Sequence, residues 1–208
     1  MARIAKKSGT YHHGDLRRAL VDAAVRVVDK EGVEALSLVA IAKKAGVSSG
    51  APYHHFQNRE ELLAAIATDG FGLLAASMKE DAESTVPRPG EKTGEARLRG
   101  IGRGYVRFAL QHPGYFRIMF RPEVKSTIDR ADVNEAFALL TDAIALAQTE
   151  GALPPGDPRP LILLAWSTVH GASVLWLDGP LESEGLVDNA DSLAATVADT
   201  LMLLLRKC

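Results

Sequence analysis

Residues 36–62 read LSLVAIAKKAGVSSGAPYHHFQNREEL. Their spacing predicts a helix, a tight turn, a second short helix, and the start of a further helix behind them. Leu38, Ile41, Ala42 and Ala45 fall at i, i+3, i+4 and i+7, one apolar face of a 3.6-residue period. Ala45-Gly46-Val47 is the turn, where Gly46 can take the left-handed φ that a helix-to-helix corner needs. Ser48 and Ser49 are N-cap types for the second helix, which is expected to run to about Phe56. Asn58 caps the next helix, and Glu60 and Glu61 sit in its first turn, where the macrodipole favours them. The pattern is that of a helix-turn-helix. In that motif the second helix lies in the DNA major groove and the first crosses the backbone.

Outward from the motif the chain reads as helices. Before it, Asp15 to about Glu31 carries the stripe Leu16, Leu20, Ala23, Ala24, Val27 and Val28, and Gly32 ends it. Behind it, the helix opened by Asn58 is expected to reach about Lys79. STVPRPGEKTGE (84–95) is a Pro/Gly-rich break. Helices are expected over about 96–111, 115–120, 126–150, 160–177 and 189–206, with loops at 151–158 and 178–188. No stretch alternates enough to require a sheet, so the expected class is all-α. The expected domains are a flexible basic arm (1–13), a DNA-binding domain (14–57), a connecting helix (58–80) and a C-terminal domain (81–208).

The formal charge is −2, which argues against a general polyanion binder. Its distribution says more. Residues 1–59 hold ten Lys and Arg against five Asp and Glu, and the remainder holds fourteen against twenty-one. A basic head on an acidic body confines phosphate attraction to the head. The single cysteine, Cys208, forms no internal disulfide and fits a reducing cytoplasm. No run of about 18 apolar residues looks free of charge, so no membrane partner is expected. The basic N-terminus lacks an apolar core and does not read as a signal peptide.

The lead-in YHHGDLRRALVDAAVRVVDKEGVEALSL, the turn AGVSSGAPYHHF and the helix opening NREELLAAI together resemble the DNA-binding domain of the TetR (tetracycline-repressor) family of bacterial regulators, over about residues 11–75. YVRFALQHPGYFRIMF and AWSTVHGASVLWLDGPL resemble the Trp-His-Gly type of C-terminal domain in that family, with Trp166, His170 and Gly171 in the named positions.

These residues give specific expectations. Ser48 and Ser49 can donate to phosphate at a helix N-terminus, and the start of the first motif helix at Ser37 can do the same. Ala51 and Pro52 offer apolar surface to thymine methyls, although the family more often has a larger aliphatic residue at the place of Pro52. Tyr53 and His54 reach phosphates or base edges. Lys43 is a backbone contact or part of a solvated face. Arg59 resembles the family's phosphate-binding basic residue. Arm residues Arg3, Lys6 and Lys7 enter a minor groove or stand free. The resemblance implies an apolar inducer pocket from Tyr105, Phe108, Phe116, Met119, Phe120, Phe137, Trp166 and His170, or a packed core from the same residues. The last two helices would pair with a second copy through Leu175, Leu193, Val197, Leu201 and Leu204. Gly171 suggests close helix approach.

Enzyme readings are weak. Ser167, His170 and Asp178 are not placed as a relay. RGIGRG at 99–104 lacks the spacing and preceding strand of a dinucleotide loop and reads as close helix packing. The pairs His12-His13 and His54-His55 point about 100° apart on a helix, poor geometry for one metal. No catalytic residue, cofactor or metal is expected. The expected function is a cytoplasmic homodimeric repressor, on the nucleoid when bound, released from a palindromic operator by a small ligand. The alternatives are an activator or ligand-independent regulator, and a helical module that binds DNA non-specifically or binds protein.

Overall fold

The computed structural model describes residues 13–124, 128 and 130–206, and all regular structure there is helical. Arg3, Lys6, Lys7, His12 and Cys208 lie outside the described residues. The elements are α1 (His13–Glu31), α2 (Leu38–Ala45), α3 (Arg59–Ser84), α4 (Thr93–Gln111), α5 (Pro113–Met119), α6 (Arg130–Thr149), α7 (Arg159–Leu177), α8 (Pro180–Ser183) and α9 (Ala190–Leu205).

Local chemistry sets most of the boundaries. The Ser37 hydroxyl accepts from the Ala40 N–H at 3.1 Å and opens α2. Gly46 closes it with φ 71°, in the left-handed region. The Asn58 side chain accepts from the Glu61 N–H, and the Glu61 carboxylate accepts from the Gln57 N–H. Asn189 and Ser192 form a reciprocal cap at α9. These bonds satisfy donors that a helix start otherwise leaves open.

The motif's second helix is shorter than expected. A single 3-10 turn, Ala51–His54, stands there, with Gly50 at its N-cap and no side-chain cap bond. Neither Ser48 nor Ser49 caps it. The run Ser48-Ser49-Gly50-Ala51-Pro52 is poor helix material, since Gly costs about 1 kcal/mol and Pro about 3 kcal/mol relative to Ala in a helix interior.

α3 starts in the head and runs unbroken past the expected boundary at residue 80. The buried cluster is continuous from Leu20 and Phe56 in the head to Leu201 and Leu205 in the body. α4 is the body's central helix and packs against α3, α6, α7 and α9. RGIGRG lies within α4, and two of its glycines permit the closest approach. A Cβ on Gly104 would lie 2.5 Å from the Ser77 carbonyl oxygen, and one on Gly100 would lie 2.6 Å from the Asp81 carbonyl oxygen. Asp81, 3% exposed, sits in the same crossing. Arg103 reaches it at 3.3 Å and Arg107 at 3.2 Å. Arg99 is similarly enclosed and holds Glu91 at 2.7 Å.

Three expectations need correction here. Leu193 and Leu201 are 3% and 1% exposed; they belong to the monomer's own core, where α9 packs on α4. A built Cβ on Gly171 meets nothing within 4 Å, so no close approach occurs at that residue. The third concerns membranes: α3 and α7 are each long and apolar enough to cross one by length and composition, and residues 160–177 carry no Asp, Glu, Lys or Arg. The apolar window of α3 is 56% buried and that of α7 only 22%.

Gly104→Ala should therefore destabilise the protein by about 1–3 kcal/mol through overpacking, read as a melting temperature lower by several degrees. Gly102→Ala, whose Cβ would sit in ordinary contact at 3.6 Å from Leu201, should melt at the same temperature or higher. Equal melting of the two variants would place the tight crossing elsewhere.

Candidate DNA-binding head and body cavity

The head presents an exposed turn. Ser48, Ser49, Gly50 and His54 are exposed, and Tyr53 is 54% exposed. Ala51 is half-buried. Pro52 is buried, which corrects the expectation that it offers surface to a thymine methyl: it packs inward with Phe56, 1% exposed. The Arg17 guanidinium lies over the Phe56 ring at 5.3 Å, a cation–π contact that seats the turn on α1. Lys43 is exposed; Lys44 reaches Glu31 at 3.7 Å. Val39, 56% exposed, is a surface residue of α2 that the periodicity did not single out.

Arg59 is also corrected. Its Nε donates to the Leu36 carbonyl at 3.1 Å and its terminal nitrogen donates to the Val33 carbonyl at 3.0 Å. Val33 opens the 3-10 turn Val33–Ala35 and Leu36 follows it, so both carbonyls lie where the short turn ends without a longer helical ladder. The planar guanidinium fork matches two such acceptors. Arg59 thus ties the start of α3 to the approach of α2. No sequence signal distinguishes that inward use from a phosphate contact.

The body holds an apolar cavity of about 70 Å³. Of the eight expected pocket residues, Tyr105, Phe120, Phe137 and Trp166 line it. Phe108, Phe116, Met119 and His170 do not. Phe108 is tilted against His112 at 5.3 Å, and Met119 fills the space beside Gly70. Phe116 and His170 stand behind the wall, their rings 5.2 Å apart. The remaining wall includes Phe71, Leu74 and Met78 of α3, Leu140 of α6 and Leu201 of α9. Sequence periodicity singles out Leu201, as part of a pairing face, and does not single out Phe71, Leu74 or Met78.

The Tyr105 hydroxyl lies 2.8 Å from His170 Nδ1. Burial pushes the Tyr105 hydroxyl pKa well above the usual phenol value, against the smaller opposing pull of the Trp166 indole N–H hydrogen bond. Burial also holds His170 below the usual imidazole value. Both groups are therefore neutral near pH 7. A second cleft, of about 350 Å³, lies between α3, α4 and α9 and includes Asp81, Arg103, Arg107 and Asp191. Its arginines are already paired with Asp81, so the apolar cavity is the better candidate for a small molecule.

α5 and the residue pair after it connect cavity and head. Phe120 lines the cavity. At the other end, Gly114 packs so closely on α1 that a Cβ would lie 2.7 Å from the Asp29 carboxylate. Arg121 then reaches Glu34 of the head at 3.0 Å.

Residues 20–66 match the family described as bacterial regulatory proteins, tetR family, and residues 98–201 match the tetracyclin repressor-like C-terminal domain. The chain belongs to the TetR family. TetR-family proteins are DNA-binding transcriptional regulators and not enzymes. A protein of unknown function from Rhodococcus sp. RHA1 is 30% identical, with a TM-score of 0.74 over 96% of this chain and 100% of that one. The regulator FadR from Bacillus subtilis, solved in complex with stearoyl-CoA, shares the fold at 18% identity, with a TM-score of 0.70 over 91% of this chain and 97% of that one. An uncharacterized helix-turn-helix regulator, YobS of Bacillus subtilis (strain 168), is 30% identical over 103 residues, 50% of each chain. The match therefore spans half the length of that curated relative.

Arg59→Ala should lower stability by about 1–3 kcal/mol through the loss of two charge-assisted bonds, read by melting without DNA. Arg59→Lys should recover part of that loss, because a point charge cannot fork two carbonyls. An unchanged melt for Arg59→Ala would return this residue to the phosphate role.

Proposed function

We propose that this TetR-family protein is a homodimeric, sequence-specific repressor that leaves a palindromic operator when a small apolar ligand enters the body cavity. The observation that carries the reading is the path through α5. One of its ends meets the cavity wall at Phe120 and the other packs on α1 of the head at Gly114. A ligand that displaces Phe120 pushes on the element that seats the head. Coupling of this kind is typically about 1–3 kcal/mol, roughly 5–150-fold in operator affinity. That a regulator of the same fold is solved with stearoyl-CoA supports a ligand-binding body. The cavity of about 70 Å³ argues for a smaller occupant here.

On the DNA side, Ser48, Ser49, Tyr53 and His54 are the exposed residues of the turn, with Lys43 nearby in sequence on α2. With Pro52 and Arg59 turned inward, discrimination falls to Ala51, to these polar groups and to DNA shape. Pairing of two copies supports a palindrome. The surface that supports pairing is the poorly buried α7 with the end of α9. Leu163 is 67% exposed, Leu203 58%, Leu175 47% and Leu204 42%, and Val197 is half-buried. Apolar exposure of that extent on two helices is what an interface core needs.

Selection from a random DNA pool at near-physiological salt should enrich a two-fold palindrome bound about 10³-fold or more above non-specific DNA. No enrichment by folded protein would sink the operator reading. Tyr53→Ala should weaken binding to all sequences about equally. A preference relaxed at one base pair would make Tyr53 a base reader instead. Leu163→Glu and Leu203→Glu should each give folded monomers in sedimentation, and a surviving dimer would move the interface off these helices.

A further inference from the structure

If the body cavity takes a ligand, as proposed above, its wall dictates the ligand's chemistry. The wall contains no Asp, Glu, Lys or Arg. Its polar atoms come from two side chains, the Tyr105 hydroxyl and the Trp166 indole N–H. Tyr105 is 5% exposed, so its hydroxyl cannot turn to bulk water. His170 Nδ1 lies 2.8 Å from that hydroxyl. His170 is itself fixed between the rings of Phe116 and Phe120, at 5.2 and 4.7 Å. A hydroxyl donates one bond and accepts up to two. His170 takes one of these positions, and the capacity that remains is what an occupant can use. Buried ions need a counter-charge, and this wall supplies none.

Shape adds a second constraint. An apolar cavity of about 150 Å³ holds a benzene molecule, so about 70 Å³ holds roughly three non-hydrogen atoms by the same scale. Phe137 and Trp166, 45% and 41% exposed, pack edge-to-face with centroids 6.1 Å apart at the solvent side. A longer occupant must part these two rings, which favours a slim one.

We propose that the cavity selects a neutral, slim, largely apolar molecule bearing one hydroxyl or carbonyl, which hydrogen-bonds the Tyr105 hydroxyl, and that His170 is a positioning residue for that hydroxyl. The histidine of the Trp-His-Gly signature thereby acquires a physical role. It holds the cavity's single phenol in a fixed orientation.

The test titrates the full chain by calorimetry with four probes of one chain length: hexan-1-ol, 1-chlorohexane, hexanoate and hexylammonium. Hexan-1-ol should bind saturably, about 5–10-fold tighter than 1-chlorohexane, the range one hydrogen bond supplies. The two ions should bind at least about 30-fold more weakly than the alcohol, having no counter-charge. Tyr105→Phe should bring the alcohol-to-chloride ratio near one and leave chlorohexane binding unchanged. His170→Leu should lower the same ratio, a change that loss of packing alone does not produce. Gly102→Ala adds a methyl group against Leu201 and Val169 without a clash, and should weaken both neutral probes together. Hexanoate binding as tightly as hexan-1-ol, or a ratio unmoved by Tyr105→Phe, overturns the inference while keeping the cavity as a ligand site. Failure of both neutral probes to bind, or binding indifferent to Gly102→Ala, overturns the ligand-site reading itself.

Discussion

The approach of α4 to α3 is the constraint on which the other contacts depend. At Gly100 and Gly104 there is no room for a side chain, and the two helices meet backbone to side of backbone. A crossing this close brings Asp81 under Arg103 and Arg107. It also sets how far the aromatic residues of α4 stand from those of α3, which fixes the cavity's width between Tyr105 and Phe71. The Ser77 hydroxyl adds a bond to the Gly104 carbonyl at 3.0 Å, so even the polar groups at the crossing are committed to it.

The charges buried there serve geometry more than net stability. A buried ion pair gains Coulomb energy but loses hydration, and the balance is often near zero against an apolar replacement. Removing one partner is different, because the other is left enclosed and unpaired. Asp81 of α3, shared by Arg103 and Arg107 of α4, therefore penalises any other register of α3 against α4, while Arg99 and Glu91 fasten α4 to the loop before it. Apolar residues alone would tolerate a slide along the helix axis. These pairs do not.

Much of the fold was legible because helix boundaries are written in short-range chemistry. Asn58, Asn189 and Gly46 each act within four residues of their own position, and each does what its residue type suggests. What was not legible depends on which surface lies opposite. The stripe of α9 read as a face for a second copy, yet Leu193 and Leu201 face α4; periodicity shows that a face is covered and says nothing of the cover. Arg59 read as an outward cation, but its partners are carbonyls 23 and 26 residues earlier in the chain. The cavity was half legible for the same reason. Aromatics marked the region, while Leu74 and Met78 of α3 carry no sign that distinguishes wall from core.

α3 has a mechanical consequence. It is 26 residues long and has no break between its head end at Arg59 and its body end at Ser84. At about 1.5 Å per residue it is a rod of about 39 Å. The continuous core leaves no joint at which the head can swing alone. A rod of that length acts as a lever arm: a tilt of about 5° at its body end would carry the head end sideways by about 3 Å. In a two-fold pair such displacements come twice, once from each copy. In the pair proposed above, a small rearrangement at the cavity would thus change the spacing of the two heads by about 6 Å.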